Sequence, residues 1–565
     1  LRQTFNRRVI EAHLSAPKSP LTLAFAVPDH PWVDSAQGAA VRIAMSVGAL
    51  AEEEGRLLTV GEERATDSDE VDVRLEERRG LLHADLRVGA NVSAAATLQA
   101  NSGLSNTGVK LHGAGFIVTR EEAASIGLGS VLGLEQHIRE YRNGRDLNAT
   151  SRDVMVIDLA GLSVDEVRQR FPAVYQWVVE RVKPERDLNR EDYRRINWWL
   201  FGRKNTELRA GLRGLERYIA TVETSKHRMF QLLDASILPD NMLIAIASND
   251  PAWLGVLSSQ VHVEWALAAG GRLGVGNDPR YNKSRCFETF PFPSDDTGLT
   301  PALAERIRQL AEQLDAHRKA RQAAFEAVTL TGLYNVLDKL RRGEPLNDKD
   351  KALHEQGLVS VLQSLHDELD AAVLQAYGWS DLGAVPWADE AARAAWTEAL
   401  LERLVALNAK RAAEEAGTLP GSPPGGTVRW LRPEFQDPAR RMAGASVAPQ
   451  PEQTGLDGVE SQAEAAARAD LAETEVVEAP AEGDAGGAAA PQAAAATTQP
   501  WPPTLPEQVR AVAQLLSASP APLPLATIEA SFKGKGPWKK GLPRILDTLE
   551  AVGRARRDGA GWRGS

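Results

Sequence analysis

Cysteine is almost absent from this sequence of 565 residues, in which Cys286 is the only one. A single thiol cannot form an intramolecular disulfide or a cysteine-based zinc site, so the sequence favours a reducing, cytoplasmic location. Long hydrophobic runs are also absent, so no transmembrane helix is predicted. The first residues, LRQTFNRRVIEAHL, lack the pattern of a signal peptide. We therefore expect no contact with a membrane.

Signatures of several enzyme classes are missing too. The ten histidines are scattered and none forms H-E-x-x-H, so no metal site is predicted. Gly-Val-Gly at 274–276 is followed by Pro279 at the position where a dinucleotide-binding loop has its third glycine. Neither a P-loop nor G-x-S-x-G occurs. These patterns predict no catalytic residue and no cofactor-binding residue.

Negative charge is present in excess but is unevenly placed. The net charge is -11, and residues 451–500 alone contain ten Asp and Glu against one Arg. Residues 437–500 are rich in Ala, Glu, Pro and Gly, a composition that cannot bury enough apolar surface to become ordered, so we predict a disordered linker there. The rest of the chain can still carry basic patches, and DNA binding depends on such local patches.

The length predicts several domains in an α/β, multidomain fold. Residues 1–80 have a helical pattern followed by two strand-like runs, LTLAFAVPDHPWV and AAVRIAMSVGAL, which favour the end of an α/β sheet. Residues 81–296 mix helices such as SVDEVRQRFPAVYQWVVERV with strands such as RYIATVE and NMLIAIA, which indicates a mixed α/β domain. Residues 297–436 keep helical periodicity and predict a helical bundle.

Residues 501–565 predict three helices followed by a basic hairpin, RARRDGAGWRG, which is the pattern of a winged helix. This segment contains ten Lys and Arg against five Asp and Glu. DNA and another protein are equally open as its partner. Its candidate contact residues are Lys533, Lys535, Lys539, Lys540, Arg544, Arg554, Arg556 and Arg557.

Asn, Arg and Lys side chains concentrate on four segments of residues 81–296 that we predict as loops. Arg side chains read guanine, Asn pairs with adenine, and Lys or backbone N–H groups hold phosphate. For any one segment, an ordinary polar loop is the simpler interpretation, but four in one domain favour a DNA-binding surface. The predicted DNA-contacting residues are Asn101, Ser105, Asn106, Arg139, Arg142, Asn143, Arg145, Lys226, His227, Arg228, Asn277, Arg280, Tyr281, Asn282, Lys283 and Arg285.

Several stretches together resemble a known family. They include NSGLSNTGVKLHGAGFIVT, RYIATVETSKHRMF, ILPDNMLIAIAS and LGVGNDPRYNKSRCFETFPFP. In this order they are similar to the C-terminal half of class I SAM-dependent DNA methyltransferases of the type IIG restriction–modification (MmeI-like) family. The resemblance implies adenine-N6 methylation of a defined site in double-stranded DNA. It also implies that residues 1–80 end a Rossmann-like methyltransferase sheet and that residues 81–296 are the target-recognition domain.

The catalytic signature of that family, [DNS]-P-P-[YFW], has no good counterpart. SPPG at 422–425 ends in glycine, and WPPT at 501–504 has neither the polar first residue nor the aromatic last one. The Gly-rich turn that binds S-adenosylmethionine (SAM) is not found either. We therefore expect that the chain begins after the active site, needs a methyltransferase half on the same or another polypeptide, and binds no SAM alone. The alternative is a non-catalytic DNA-binding or protein-interaction module that acts through the winged helix.

Overall fold

The computed structural model describes residues 4–440 and 499–564, except 15, 17, 33–40, 51–53, 66–70, 274–277, 502–504, 520–521, 534–541, 543–544, 547–548, 551–553 and 559–560. The chain divides into two compact units, residues 1–448 and 449–565. Within the described residues, no helix is long and apolar enough to cross a membrane.

The N-terminal part is a helix packed on a four-stranded sheet. It contains α1 (Thr4–Leu14), β1 (Thr22–Trp32), β2 (Val41–Ala49), β3 (Gly55–Ala65) and β4 (Val71–Gly80), with the strand order β2-β1-β3-β4. Strand β1 is antiparallel to β2 and parallel to β3, which is antiparallel to β4. Leu23, Ala26 and Leu57 form a small core, against which Ile10 and Leu14 pack. The sequence does not predict β4, because charged residues dominate VDVRLEERRG.

Short strands and short helices alternate between residues 81 and 296. The strands are β5 (Ser105–Thr107), β6 (Ile117–Val118), β7 (Ile138–Arg142), β8 (Met155–Ile157), β9 (Arg217–Val222), β10 (Phe230–Asp234), β11 (Leu238–Pro239), β12 (Leu243–Ile246), β13 (Gly271–Leu273) and β14 (Asp278–Arg280). The helices are α2 (Arg120–Ser125), α3 (Gly144–Asn148), α4 (Val164–Arg170), α5 (Pro172–Arg181), α6 (Lys183–Asp187), α7 (Asp192–Ile196), α8 (Thr206–Leu212), α9 (Pro251–Ser258), α10 (Gln260–Ala269) and α11 (Lys283–Cys286). The predicted helix over 163–182 is divided before Pro172, which cannot donate a helical hydrogen bond.

A central sheet with the order β10-β9-β12-β5 is buried on both faces. Ile219 and Ile244 point into one core, whereas Tyr218, Ala220 and Ala245 point into another. A second sheet, ordered β11-β7-β8-β6, contributes to the latter core. Burial of both faces explains why β9 and β12 appear in the sequence as mainly apolar stretches without polar alternation.

Longer helices follow the central sheet and share its core. They are α12 (Pro301–Ala324), α13 (Leu330–Arg342), α14 (Asp348–Gly357), α15 (Val359–Ala376), α16 (Glu390–Glu415) and the short α17 (Pro433–Gln436). Phe290 and Phe292 of the FPFP segment lie in one cluster with Ile307 and Leu369. The Tyr377 hydroxyl donates to the carbonyl of Pro291 at 2.9 Å. The predicted boundary at 296/297 therefore lies within one continuous core.

The second unit has a core of its own. It contains β15 (Gln499–Pro500), α18 (Leu505–Ala518), α19 (Leu525–Ala530), β16 (Phe532–Lys533), β17 (Ala555–Asp558) and β18 (Gly561–Gly564). Val512, Ile528, Leu546 and Trp562 are buried together, and β17 and β18 form an antiparallel hairpin. Three predicted features lie outside the described residues. They are most of the third helix, residues 441–498 of the linker, and the side chains of Lys533, Lys535, Lys539, Lys540 and Arg544. The mixed α/β multidomain class is confirmed, and the winged helix stays a prediction.

Candidate DNA-recognition surface

Three of the four cationic segments meet at one end of the central sheet. Strand β9 ends at Val222, which pairs with Leu243 at the start of β12. Around this end lie residues 142–145, 223–228, 240–242 and 278–283, which we call the polar edge. Backbone hydrogen bonds connect them: Asp240 donates to the carbonyl of Arg142 at 2.8 Å, and Glu223 donates to that of Met242 at 2.8 Å.

The first part of the polar edge is held by a helix cap. The Asn143 side chain accepts hydrogen bonds from the backbone of Arg145 and Asp146 at 3.0 and 3.1 Å, and Asp146 accepts from the Asn143 N–H at 2.8 Å. This reciprocal capping box fixes the start of α3. A Cβ added to Gly144 would lie 3.0 Å from a methyl group of Val222, so this segment approaches β9 closely. Asn143 therefore acts as a cap, and Arg145 is left exposed beside it.

Arg228 lies inside the fold and ties two segments of the polar edge together. Its side chain is 8% exposed. Its guanidinium donates to the carbonyls of Val222, Glu223 and Pro279, the last at 3.1 Å, and lies 5.1 Å from the centre of the Tyr281 ring. Burial lowers the pKa of this guanidinium. The prediction that Arg228 contacts DNA is corrected, because its donors are used within the protein.

Tyr281 and Asn101 are corrected in the same way. The Tyr281 ring is 1% exposed and its hydroxyl lies 2.9 Å from Nε2 of His262, whose pKa burial lowers to about 3. The Asn101 amide is also 1% exposed and donates to the carbonyls of Phe287 and Phe290 at 2.9 and 2.8 Å. Both side chains hold the 281–290 segment in the core.

Ser105 and Asn106 lie at the other end of β12 from the polar edge. Ser105 pairs with Ile246 and Asn106 with Ala245, whereas the polar edge adjoins Leu243. Both side chains are buried, at 2% and 5% exposure. The predicted convergence of all four segments therefore does not extend to residues 101–106, because β5 approaches the polar edge only at its other end, where Thr107 pairs with Ile244.

Three of the six Lys and Arg side chains of the polar edge are paired with carboxylates. Arg142 lies 3.3 Å from Glu140, Arg280 lies 3.0 Å from Glu223, and Lys283 lies 3.1 Å from Glu288. These pairs are partly exposed, and such pairs contribute about 0–1 kcal/mol, so a phosphate can replace the carboxylate at little cost. Arg145 is exposed and, within the described residues, has no carboxylate partner.

Among the remaining predicted residues, Lys226, His227 and Arg139 are hydrogen-bonded within the protein. The Lys226 ammonium and the His227 Nε2 lie 2.6 and 2.9 Å from the side-chain oxygen of Asn335 on α13. Arg139 donates to the carbonyls of Ala235 and Ser236, and burial lowers its pKa. Asn282 and Arg285 are half-buried at α11, and Asn277 lies outside the described residues.

Sequence reasoning missed the turn at 240–242. Met242 is 42% exposed although it is apolar, and the neighbouring Asn241 is partly exposed. The only sequence signal is Pro-Asp-Asn at 239–241, a common turn composition. An exposed apolar side chain among polar ones can contact a thymine methyl group, and an Asn amide can pair with adenine.

Comparison with known families assigns the central part of the chain. Residues 102–294 match the family model described as "MmeI, target recognition domain". This segment contains the central sheet and the polar edge, and it is similar to the target recognition domain of MmeI.

Two known proteins are similar to parts of the chain. DNA methyltransferase A of Bacillus subtilis (strain 168) is 31% identical over 104 residues, which are 18% of this chain and 11% of that protein. The solved structure of the type IIL restriction–modification enzyme MmeI in complex with DNA has a TM-score of 0.49 and 19% identity, over 70% of this chain and 46% of that one. This chain thus spans less than half the length of either protein.

Two cavities within the described residues do not suit SAM, which a methyltransferase requires. The larger, about 370 Å³, lies beside the polar edge and is lined partly by Arg142, Asp146 and Lys319. Carboxylates commonly hold the ribose hydroxyls of such nucleosides, but Asp146 is already bound to Arg152 at 2.8 Å. The second, about 250 Å³, lies between the FPFP segment and residues 427–431, and its Arg411 is bound to Asp296 at 2.6 Å. We derive no methyl-transfer step from these residues.

Proposed function

We propose that residues 102–294 recognise a short DNA sequence for a site-specific adenine-N6 DNA methyltransferase of a restriction–modification or phage-defence system. The observation that carries the proposal is the polar edge, where three cationic segments meet within a segment matched by a target recognition domain. The similarity to DNA methyltransferase A supports the methyltransferase context. Methyl transfer from SAM is assigned to the complete enzyme and not to residues 102–294.

Recognition at the polar edge divides into two kinds of contact. Arg145 has free donors that can bind a phosphate or the O6 and N7 atoms of guanine. Arg142, Arg280 and Lys283 bind backbone phosphates after exchange of their carboxylate partners. The 240–242 turn offers Asn241 and Met242 to base edges. The buried Arg228 keeps this arrangement rigid, so less conformational entropy is lost on binding.

The experiment begins with selection of the preferred site from a random double-stranded DNA library, using the full chain. Affinity is then measured for Arg145→Ala against the selected site at several salt concentrations. A lost phosphate contact lowers the slope of log affinity against log salt by about 0.9 and weakens binding about fivefold at 0.15 M salt. A lost base contact costs about 1–3 kcal/mol at one position of the site and relaxes the preference there.

The matched control is Arg306→Ala, because Arg306 is exposed on α12 and not at the polar edge. We expect this variant to bind as the unchanged chain does. An unchanged affinity and sequence preference for both Arg145→Ala and Arg280→Ala would contradict the proposed surface.

The methyltransferase context has a separate test. The chain is joined to a domain that carries the catalytic and SAM motifs, and the methylated bases are mapped by sequencing. We expect N6-methyladenine within the selected site. Methylation that ignores that site, or no methylated adenine from an active catalytic domain, would refute this part.

A further inference from the structure

The β17–β18 hairpin of the second unit has two arginines directly opposite each other on its outer face. Arg556 pairs with Arg563 across the strands, and Arg557 pairs with Trp562. Trp562 and Ala555 are 8% and 2% exposed and belong to the core, so their face of the hairpin is the inner one. Because side chains alternate along a strand, Arg556 and Arg563 share the outer face.

This arrangement places two like charges directly opposite each other. Directly opposed residues have Cβ atoms about 5 Å apart, and like charges at that distance destabilise a hairpin. Within the described residues, neither Arg556 nor Arg563 pairs with a carboxylate. Arg557 behaves differently, since it lies 3.6 Å from Glu550 and 4.6 Å from the centre of the Trp562 ring. Arg554, two residues before Arg556, is also exposed.

We propose that Arg554, Arg556 and Arg563 bind backbone phosphates of double-stranded DNA, as a second DNA-binding surface that does not depend on the polar edge. A two-stranded ribbon fits a DNA groove, and guanidinium forks bind phosphate oxygens in pairs. The whole segment 501–565 carries ten basic against five acidic residues, in a chain of net charge -11.

Other ligands fit this face less well. Single-stranded nucleic acid is bound through exposed aromatic rings on which bases stack, but Trp562 is buried and Trp501 packs edge-on against Phe532. A stable protein interface has an apolar centre. In the described part of residues 499–565, no large hydrophobic side chain is exposed. A phosphate backbone requires only the charges that this face offers.

The test uses the full chain and a double-stranded fragment of about 40 base pairs without the selected site. The double variant Arg556→Gln with Arg563→Gln removes two phosphate contacts. It lowers the salt slope by about 1.8 and weakens binding on the order of 30-fold at 0.15 M salt. The variant with Lys at both positions keeps most of the slope, and Arg306→Gln on α12 leaves it unchanged. An unchanged salt slope for the Gln variant overturns the proposal. This is also the result expected if the hairpin docks on an acidic protein instead of DNA.

Failure of this inference is distinguishable from failure of the proposed function. Variants of Asn241 and Met242, the proposed base contacts of the polar edge, change which base is preferred, whereas the hairpin variants weaken binding equally on every sequence. Folding of the second unit is checked by thermal unfolding. Loss of the opposed charges leaves the unfolding temperature unchanged or raises it, so a weaker-binding Gln variant is not an unfolded one.

Discussion

Replacement of Arg228 by methionine separates a structural role from a DNA contact. Methionine keeps much of the aliphatic packing but has no donor. The substitution leaves the carbonyls of Val222, Glu223 and Pro279 without the guanidinium that now binds them. The carbonyl of Pro279 belongs to a segment far from β9 in sequence, so one contact between these segments is lost, while the backbone hydrogen bonds from Ser225 to Pro279 and from Tyr281 to Glu223 remain.

The expected loss of stability follows from these three acceptors. The carbonyls of Glu223 and Pro279 keep the backbone N–H groups of Tyr281 and Ser225 as donors, whereas that of Val222 loses its guanidinium donor. One unpaired buried acceptor costs about 1–3 kcal/mol, and this is the expected loss. The matched variant is Arg145→Met, the same chemical change on an exposed side chain, which should alter stability by less than about 0.5 kcal/mol.

The assay is urea unfolding followed by tryptophan fluorescence, because Trp265 is fully buried in the core beside this region. DNA titrations of the same two variants complete the comparison. Arg145→Met should lose affinity while keeping its stability, and Arg228→Met should lose stability. A loss below about 1 kcal/mol for Arg228→Met would show that water satisfies the carbonyls and would refute the structural assignment.

Three further outcomes are expected. Gly108→Ala should destabilise the first unit by roughly 2 kcal/mol or more in urea unfolding, because its Cβ would lie 2.1 Å from the carbonyl of Asp240, whereas Gly271→Ala, with 3.8 Å to its nearest neighbour, should not. Burial raises the pKa of the Asp370 carboxyl to about 7. Between about pH 4 and 7 the folded state therefore keeps a proton on Asp370 that the unfolded state loses, so the free energy of unfolding falls as pH rises through this range. The fall is on the order of 3–4 kcal/mol, and Asp370→Asn should remove it. Arg556→Gln should stabilise the second unit by up to about 1 kcal/mol in thermal unfolding, since it removes an opposed like charge.

The parts of the fold that sequence predicts well are those buried on both sides. RYIATVE and NMLIAIA contain β9 and β12, which are mainly apolar because each faces two cores, although β9 starts at Arg217 and includes the buried Thr221. IREYR was interpreted as a cationic loop but forms β7, since only Ile138 and Tyr141 are apolar there and its pairing with β8 is a long-range contact. Local patterns carry no information about such a partner.

In the candidate site, too, local features can be predicted from the sequence and long-range contacts cannot. The clustering of cations is visible in sequence, and so is the turn composition around Asn143. Sequence cannot reveal that Arg228 binds the carbonyl of Pro279 or that Asn101 binds those of Phe287 and Phe290, because these partners are distant along the chain. Nor does it reveal that Ser105 and Asn106 lie at the far end of β12. The residue types in the sequence indicate side chains that can contact DNA. The tertiary contacts determine which of these side chains are exposed and which are used within the protein.

If residues 102–294 recognise DNA as we propose, the continuous core beneath the central sheet bears on how such a protein can acquire a new target sequence. A cut near residue 294 would strip Phe290, Phe292 and Leu254 of their partners Ile307 and Leu369. Transplanting residues 102–294 alone into a relative would therefore expose a large apolar surface. The polar edge, by contrast, is made of short connections whose outer side chains lie apart from that core. New target sequences are more accessible through point changes on those connections than through exchange of the whole segment, and a successful transplant must bring helices α12 to α16 with it.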